Sequence, residues 1–126
     1  MLITPAYAAV FANLFVLLSA RTIRLRRKLQ VALGSGEHPS LLKAMRAHSN
    51  FAEYVPITLL LIFFAEGNGV SQTLIHTLCI GLLLGRLIHA YGLSQVKEDL
   101  RLRVAGMVLT FTAMVTASVR LLISYL

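Results

Sequence analysis

Acidic side chains are scarce in this sequence: five Asp and Glu stand against twelve Lys and Arg in 126 residues. Tryptophan is absent, and cysteine occurs once. That single thiol, Cys79, cannot close an intrachain disulfide and leaves the redox compartment unmarked. Within its apolar run it reads as a small buried hydrophobe. Charge of either sign is sparse, at 13% of residues, against about 25% in soluble domains. With 57% apolar residues, an ordinary soluble domain is excluded in favour of a membrane protein. The length allows a single domain. The cations sit at the ends of apolar runs and are not interleaved with aromatics for base stacking, so nucleic acid is not an expected partner. No His, Cys and carboxylate cluster has the spacing of metal ligands. The N-terminus has no basic leader. Although "AYAAV" (6–10) has the small residues of a cleavage site, the apolar run continues past it and reads as a retained helix.

What is present is a series of apolar runs long enough to span a bilayer, which takes about 20 residues each. They predict an all-α integral membrane bundle of four helices, with spans near residues 4–27, 41–65, 72–94 and 104–126. The "EGNGVS" stretch (66–71) is a turn signal between the second and third. The connection between the first and second spans carries Arg21, Arg24, Arg26, Arg27, Lys28, Lys43 and Arg46, with Glu37 as its carboxylate. The connection between the third and fourth carries Lys97, Arg101 and Arg103. The turn at 66–71 and the N-terminal segment have no Lys or Arg. The positive-inside tendency places both basic connections in the cytoplasm and both termini outside. Most of these cations are expected to solvate helix ends and touch anionic headgroups of membrane lipid.

Polar residues also enter the spans. Arg46, Asn50 and Glu53 recur at i, i+4 and i+7 on one face of the second helix. Glu53 then lies roughly 10 Å deeper than Arg46. Arg86 and His89, in "GRLIHAYGL" (85–93), share a face of the antiparallel third helix. Arg86 reaches a similar depth, so Glu53 and Arg86 are expected to meet, as a structural clamp or as part of a site. Charges at bilayer depth cost at least ~2.5–3.5 kcal/mol and normally face a bundle interior or a wet cavity. Asn50 can equally be helix–helix glue and His89 a satisfied interior histidine. Arg120 is expected to snorkel to the headgroups. Pro56 frees the Ala52 carbonyl and is expected to bend the second helix just beyond Glu53. Small residues mark two packing faces: Gly106, Thr110, Ala113 and Ala117 in the fourth span, and Ala9, Ala12, Asn13, Val16 and Ser19 in the first.

The frame R-x-x-x-N-x-x-E-x-x-P in "RAHSNFAEYVPITLLL" (46–61) resembles the second helix of the MAPEG superfamily, the membrane-associated proteins in eicosanoid and glutathione metabolism. "GRLIHAYGL" resembles that family's third-helix motif, and "IRLRRK" (23–28) the basic end of its first helix. The likeness covers nearly the whole chain and is closest to the small bacterial inner-membrane branch. It implies a homotrimer of four-helix protomers with glutathione between subunits, in a cleft opening to the cytosolic side. By motif position, Arg46, Asn50 and Glu53 would hold the peptide's polar ends, Arg86 and His89 would complete the wall, and Arg24 would reach in from the first helix. Arg103 resembles the arginine that faces the thiol in active members, with Arg101 as the alternative alignment. Some eicosanoid-making members place a tyrosine four residues after the histidine; here that residue is Leu93, and the nearest tyrosine is Tyr91.

The resemblance implies a glutathione transferase or peroxidase that acts on a lipophilic electrophile or hydroperoxide. Arginines suit the tripeptide's carboxylates, a carboxylate suits its amine, and a guanidinium lowers the pKa of a thiol. A non-catalytic lipid- or glutathione-binding protein is the alternative. A small multidrug-type exporter would require a carboxylate in the first span, which has none.

Overall fold

The structure, a computed structural model, describes all 126 residues. It consists of α1 (Thr4–Leu29), α2 (Pro39–Gly67), α3 (Gln72–Ser94) and α4 (Leu100–Ile123), with no strands. All four are long and apolar enough to cross a membrane. At 1.5 Å per residue α2 extends about 43 Å, beyond a hydrocarbon core of about 30 Å, so its polar first turns project from the apolar zone. Pro56 lies within an uninterrupted α2.

Local signals set the helix ends. Gln30 takes a left-handed backbone (φ 55°) and stops α1, and the Val31 N–H turns back to the Arg26 carbonyl at 3.0 Å. Pro39 occupies the first turn of α2, where a missing N–H costs nothing. The Asp99 carboxylate accepts the Arg101 N–H at 2.9 Å. This cap starts α4 four residues before the apolar run predicted from Val104.

Phe11, Phe51, Val55, Ile62, Ile75, Leu78, Leu82, Ala113 and Ala117 form a continuous core that also buries Cys79. α3 and α4 pack most intimately, α1 lies against α2 and marginally against α3, and α1 does not meet α4. The α4 face is the predicted one: Gly106, Thr110, Ala113 and Ala117 are its buried residues. The α1 face is not. Ala9, Ala12, Asn13 and Val16 are exposed and Ser19 is half-buried, while α1 buries Phe11 and packs Tyr7, Leu14, Phe15 and Leu18. On a helix of about 100° per residue the bulky stripe lies roughly opposite the small one, and the bulky stripe makes the intrachain contact. Phe15 stacks on His48 and Phe51 with centroids 4.6 and 5.6 Å apart.

Polar ties fasten both ends of α1. At one end the Glu66 carboxylate accepts the backbone N–H groups of Ile3 and, at 2.9 Å, Thr4. At the other, Arg21 donates to the Ser94 hydroxyl.

Candidate functional site

Close helix approach creates the setting. A Cβ built on Gly85 would stand 2.9 Å from the Gly106 carbonyl oxygen, and one on Gly106 would stand 2.7 Å from the Cβ of His89. Further along, a Cβ on Gly92 would meet the Leu102 Cβ at 2.6 Å. Glycine at these positions lets α3 and α4 touch backbone to backbone. The contact brings Arg86 and His89 beside the first turns of α4.

Arg86 is 4% exposed. One Nη donates to the Asn50 side-chain carbonyl; the other reaches the Gly106 carbonyl oxygen at 3.4 Å and the Met107 sulfur at 3.3 Å. Its Nε is buried without a partner. The expected meeting of Glu53 with Arg86 does not occur: the chain's one ion pair joins Arg103 to Glu98, and Glu53 is exposed. The reason lies in direction around the helix. The buried stripe of α2 runs through Ala47, Phe51, Val55 and Thr58. Asn50 flanks that stripe, whereas Glu53 and Arg46 lie roughly 140–160° from its centre at about 100° per residue. The similar depth expected from residue counts did not bring these opposite charges together.

A groove of about 360 Å³ runs beside this cluster, lined by Asn50, His89, Leu100, Arg103, Val104, Met107, Val108 and Phe111. Polar Asn50, His89 and Arg103 occupy its basic end. The apolar wall follows α4 from Val104 to Phe111, about 10 Å along the axis. Tyr54 meets Phe111 edge-on, with ring centroids 5.3 Å apart. The Arg103 Nε is buried without a partner. Arg101 lies outside the groove, on a surface shared with Leu100, Val104 and Ala105. Arg86 forms the support behind Asn50. Arg24, Arg46 and Glu53 are exposed and outside the lining. The chain therefore brings together Asn50, His89, Arg103 and the supporting Arg86, and it leaves the other three on its outer surfaces. A wholly apolar groove of about 270 Å³ lies between α1 and α2, around Phe11, Phe15, Phe51 and Pro56; it has no charged group with which to hold an anion.

Glu98, Met107 and Phe111 were not singled out from sequence. Met107 and Phe111 lie at i+4 and i+8 from Arg103, so the helical period could have found them. Glu98 had no such signal, because the turn before α4 sets its direction.

The MAPEG family model matches residues 4–123. The inner membrane protein YecN of Escherichia coli (strain K12) is 37% identical over 113 residues, covering 90% of this chain and 85% of that protein. YecN of Escherichia coli O6:H1 (strain CFT073) matches to the same extent. The four long apolar helices, the polar groove between α2, α3 and α4 and a family match over nearly the whole length lead to one conclusion: the chain belongs to the MAPEG family, the membrane-associated proteins in eicosanoid and glutathione metabolism.

Proposed function

We propose that this protein is a glutathione-dependent membrane enzyme that transfers glutathione to lipophilic electrophiles, or uses it to reduce lipid-soluble hydroperoxides. The observation that carries the reading is the two-ended groove. Asn50, His89 and a guanidinium stand at one end, and Val104, Met107, Val108 and Phe111 form the other. The donor set suits a peptide thiol with two carboxylates, and Arg103 is the guanidinium in the groove lining that can pair with an anion. Glutathione, when bound, supplies the nucleophilic sulfur. Arg103 favours the ionised thiol, since each pKa unit of lowering corresponds to about 1.4 kcal/mol. Asn50 and His89 orient the peptide, Arg86 fixes Asn50, and the apolar wall of α4 admits a reactant dissolved in the bilayer.

The rest of the binding set comes from a homotrimer in this reading. Glu53 facing lipid would cost at least ~2.5–3.5 kcal/mol, and the exposed small residues of α1 suit close approach by another copy. A neighbouring subunit's surface covers Glu53 and Arg46, and Arg24 reaches across from the end of α1. By the positive-inside tendency the basic end faces the cytoplasm and both termini lie outside, in an inner membrane such as the one named for the Escherichia coli relative.

The test is thiolate absorbance of glutathione on detergent-purified protein near neutral pH, repeated with Arg103→Ala and Arg101→Ala. Signal in the parent and Arg101→Ala, lost in Arg103→Ala, is the expected result. No thiolate in the parent removes the transferase reading, and persistence in Arg103→Ala removes the assignment of that arginine.

One observation favours the second reading, a lipid- or glutathione-binding protein without catalysis. Leu93 is buried at 4% exposure at the position where the family resemblance gives some eicosanoid-making members a tyrosine, and Tyr91 is 62% exposed and outside the groove. No phenol from this segment lines the groove. Binding of glutathione without thiolate or turnover is the outcome that selects this reading.

A further inference from the structure

The turn between α3 and α4 holds a carboxylate against the groove's guanidinium. Glu98 meets Arg103, and both side chains are 35% exposed, so the pair lies at the surface and not in the core; Arg103 lines the groove and Glu98 approaches it from outside the lining. The turn is fastened on either side of Glu98. Lys43 donates to the carbonyls of Gln95 and Val96 at 3.0 and 3.1 Å, and Asp99 is committed to capping α4. The Glu98 side chain can therefore leave Arg103 by rotation about its own bonds, with the turn unmoved.

A half-exposed ion pair of this kind shifts an equilibrium by about fivefold at most. It is strong enough to cover a guanidinium and weak enough to exchange. A ligand's carboxylate or thiolate beside Arg103 would be repelled by Glu98 if both stayed within a few ångströms. We propose that Glu98 is an internal stand-in for a ligand's anion: it covers Arg103 in the empty groove and is displaced when an anionic ligand enters. This deepens the reading above and rests on it for the identity of that ligand, glutathione. Glu98 then sets a threshold for entry, because an anion must outcompete a tethered carboxylate to gain the guanidinium.

Phenylglyoxal labelling of the full-length protein in detergent tests this. Peptide mass spectrometry reads Arg103 against Arg101, which is exposed and serves as the internal standard. Glu98→Gln should raise the Arg103-to-Arg101 labelling ratio by about two- to fivefold. It should tighten glutathione binding by a similar factor, and Arg103→Ala should abolish that gain. Lys97→Gln, in the same turn, should leave the ratio unchanged. An unchanged ratio in Glu98→Gln, or a joint rise at Arg101 and Arg103 from a loosened turn, overturns the proposal. A raised ratio with no glutathione binding to parent or variant supports the hold of Glu98 on Arg103 and overturns glutathione as the ligand.

Discussion

Gly106 passes so close to α3 that a Cβ there would stand 2.6 Å from the carbonyl oxygen of Gly85. The neighbouring atoms are backbone and the Cβ of His89, none of which can swing aside. Gly106→Ala and Gly85→Ala should each destabilise the protein by about 1–3 kcal/mol, the usual cost of overpacking. Gly81→Ala is the control, since nothing lies within 4 Å of its added methyl group. It should be neutral or stabilising by up to ~1 kcal/mol through helix propensity. Thermal unfolding in detergent reads all three, and equal midpoints would show that the helices do not cross at Gly106.

Asn50 and Glu53 should part company on substitution. Asn50→Leu removes the side-chain partner of a buried guanidinium and should cost about 1.5–3 kcal/mol, as for hydrogen bonds to charged groups. Glu53→Gln removes no intrachain hydrogen bond or ion pair and should leave unfolding of the bundle unchanged while weakening glutathione binding. The reverse ranking in unfolding would mean that Glu53, not Asn50, holds Arg86.

At the opposite end, Glu66 caps α1 from another helix. Glu66→Ala should cost about 1 kcal/mol, the typical worth of a cap. The loss should appear as faster amide exchange at Ile3 and Thr4. Glu66→Gln keeps an acceptor but loses the favourable charge at a helix N-terminus, worth 0.3–1 kcal/mol or so, and should lie between the two. Unchanged exchange in Glu66→Ala would show that this tie does not hold α1.

Cys79 is fully buried in the core. A bulky maleimide should react with it only when the bundle opens, so its labelling rate should rise in step with the destabilisation measured for Gly106→Ala. Rapid labelling of the intact parent would contradict the burial.

The small face of α4 was legible because Gly106, Thr110, Ala113 and Ala117 repeat at helical spacing. The same logic misplaced the small stripe of α1. Small residues permit close approach by any partner, and sequence alone does not say whether that partner is in the same chain. Residue counts put Arg86 level with Glu53, whereas the structure pairs it with Asn50. Direction around α2 decided the outcome, and a shift of three residues turned the contact from Glu53 to Asn50. Arg103 could be found only through likeness to a family. Glu98 could not be found at all, because no periodic rule describes the turn that aims it.

α1 leans on α2, touches α3 lightly and never reaches α4. An order of assembly follows from that lopsided geometry. Among these four helices α1 has α2 as its one substantial partner, whereas α4 docks on both α2 and α3. Until α2 is in the bilayer, α1 is therefore held in lipid by its own apolar length alone.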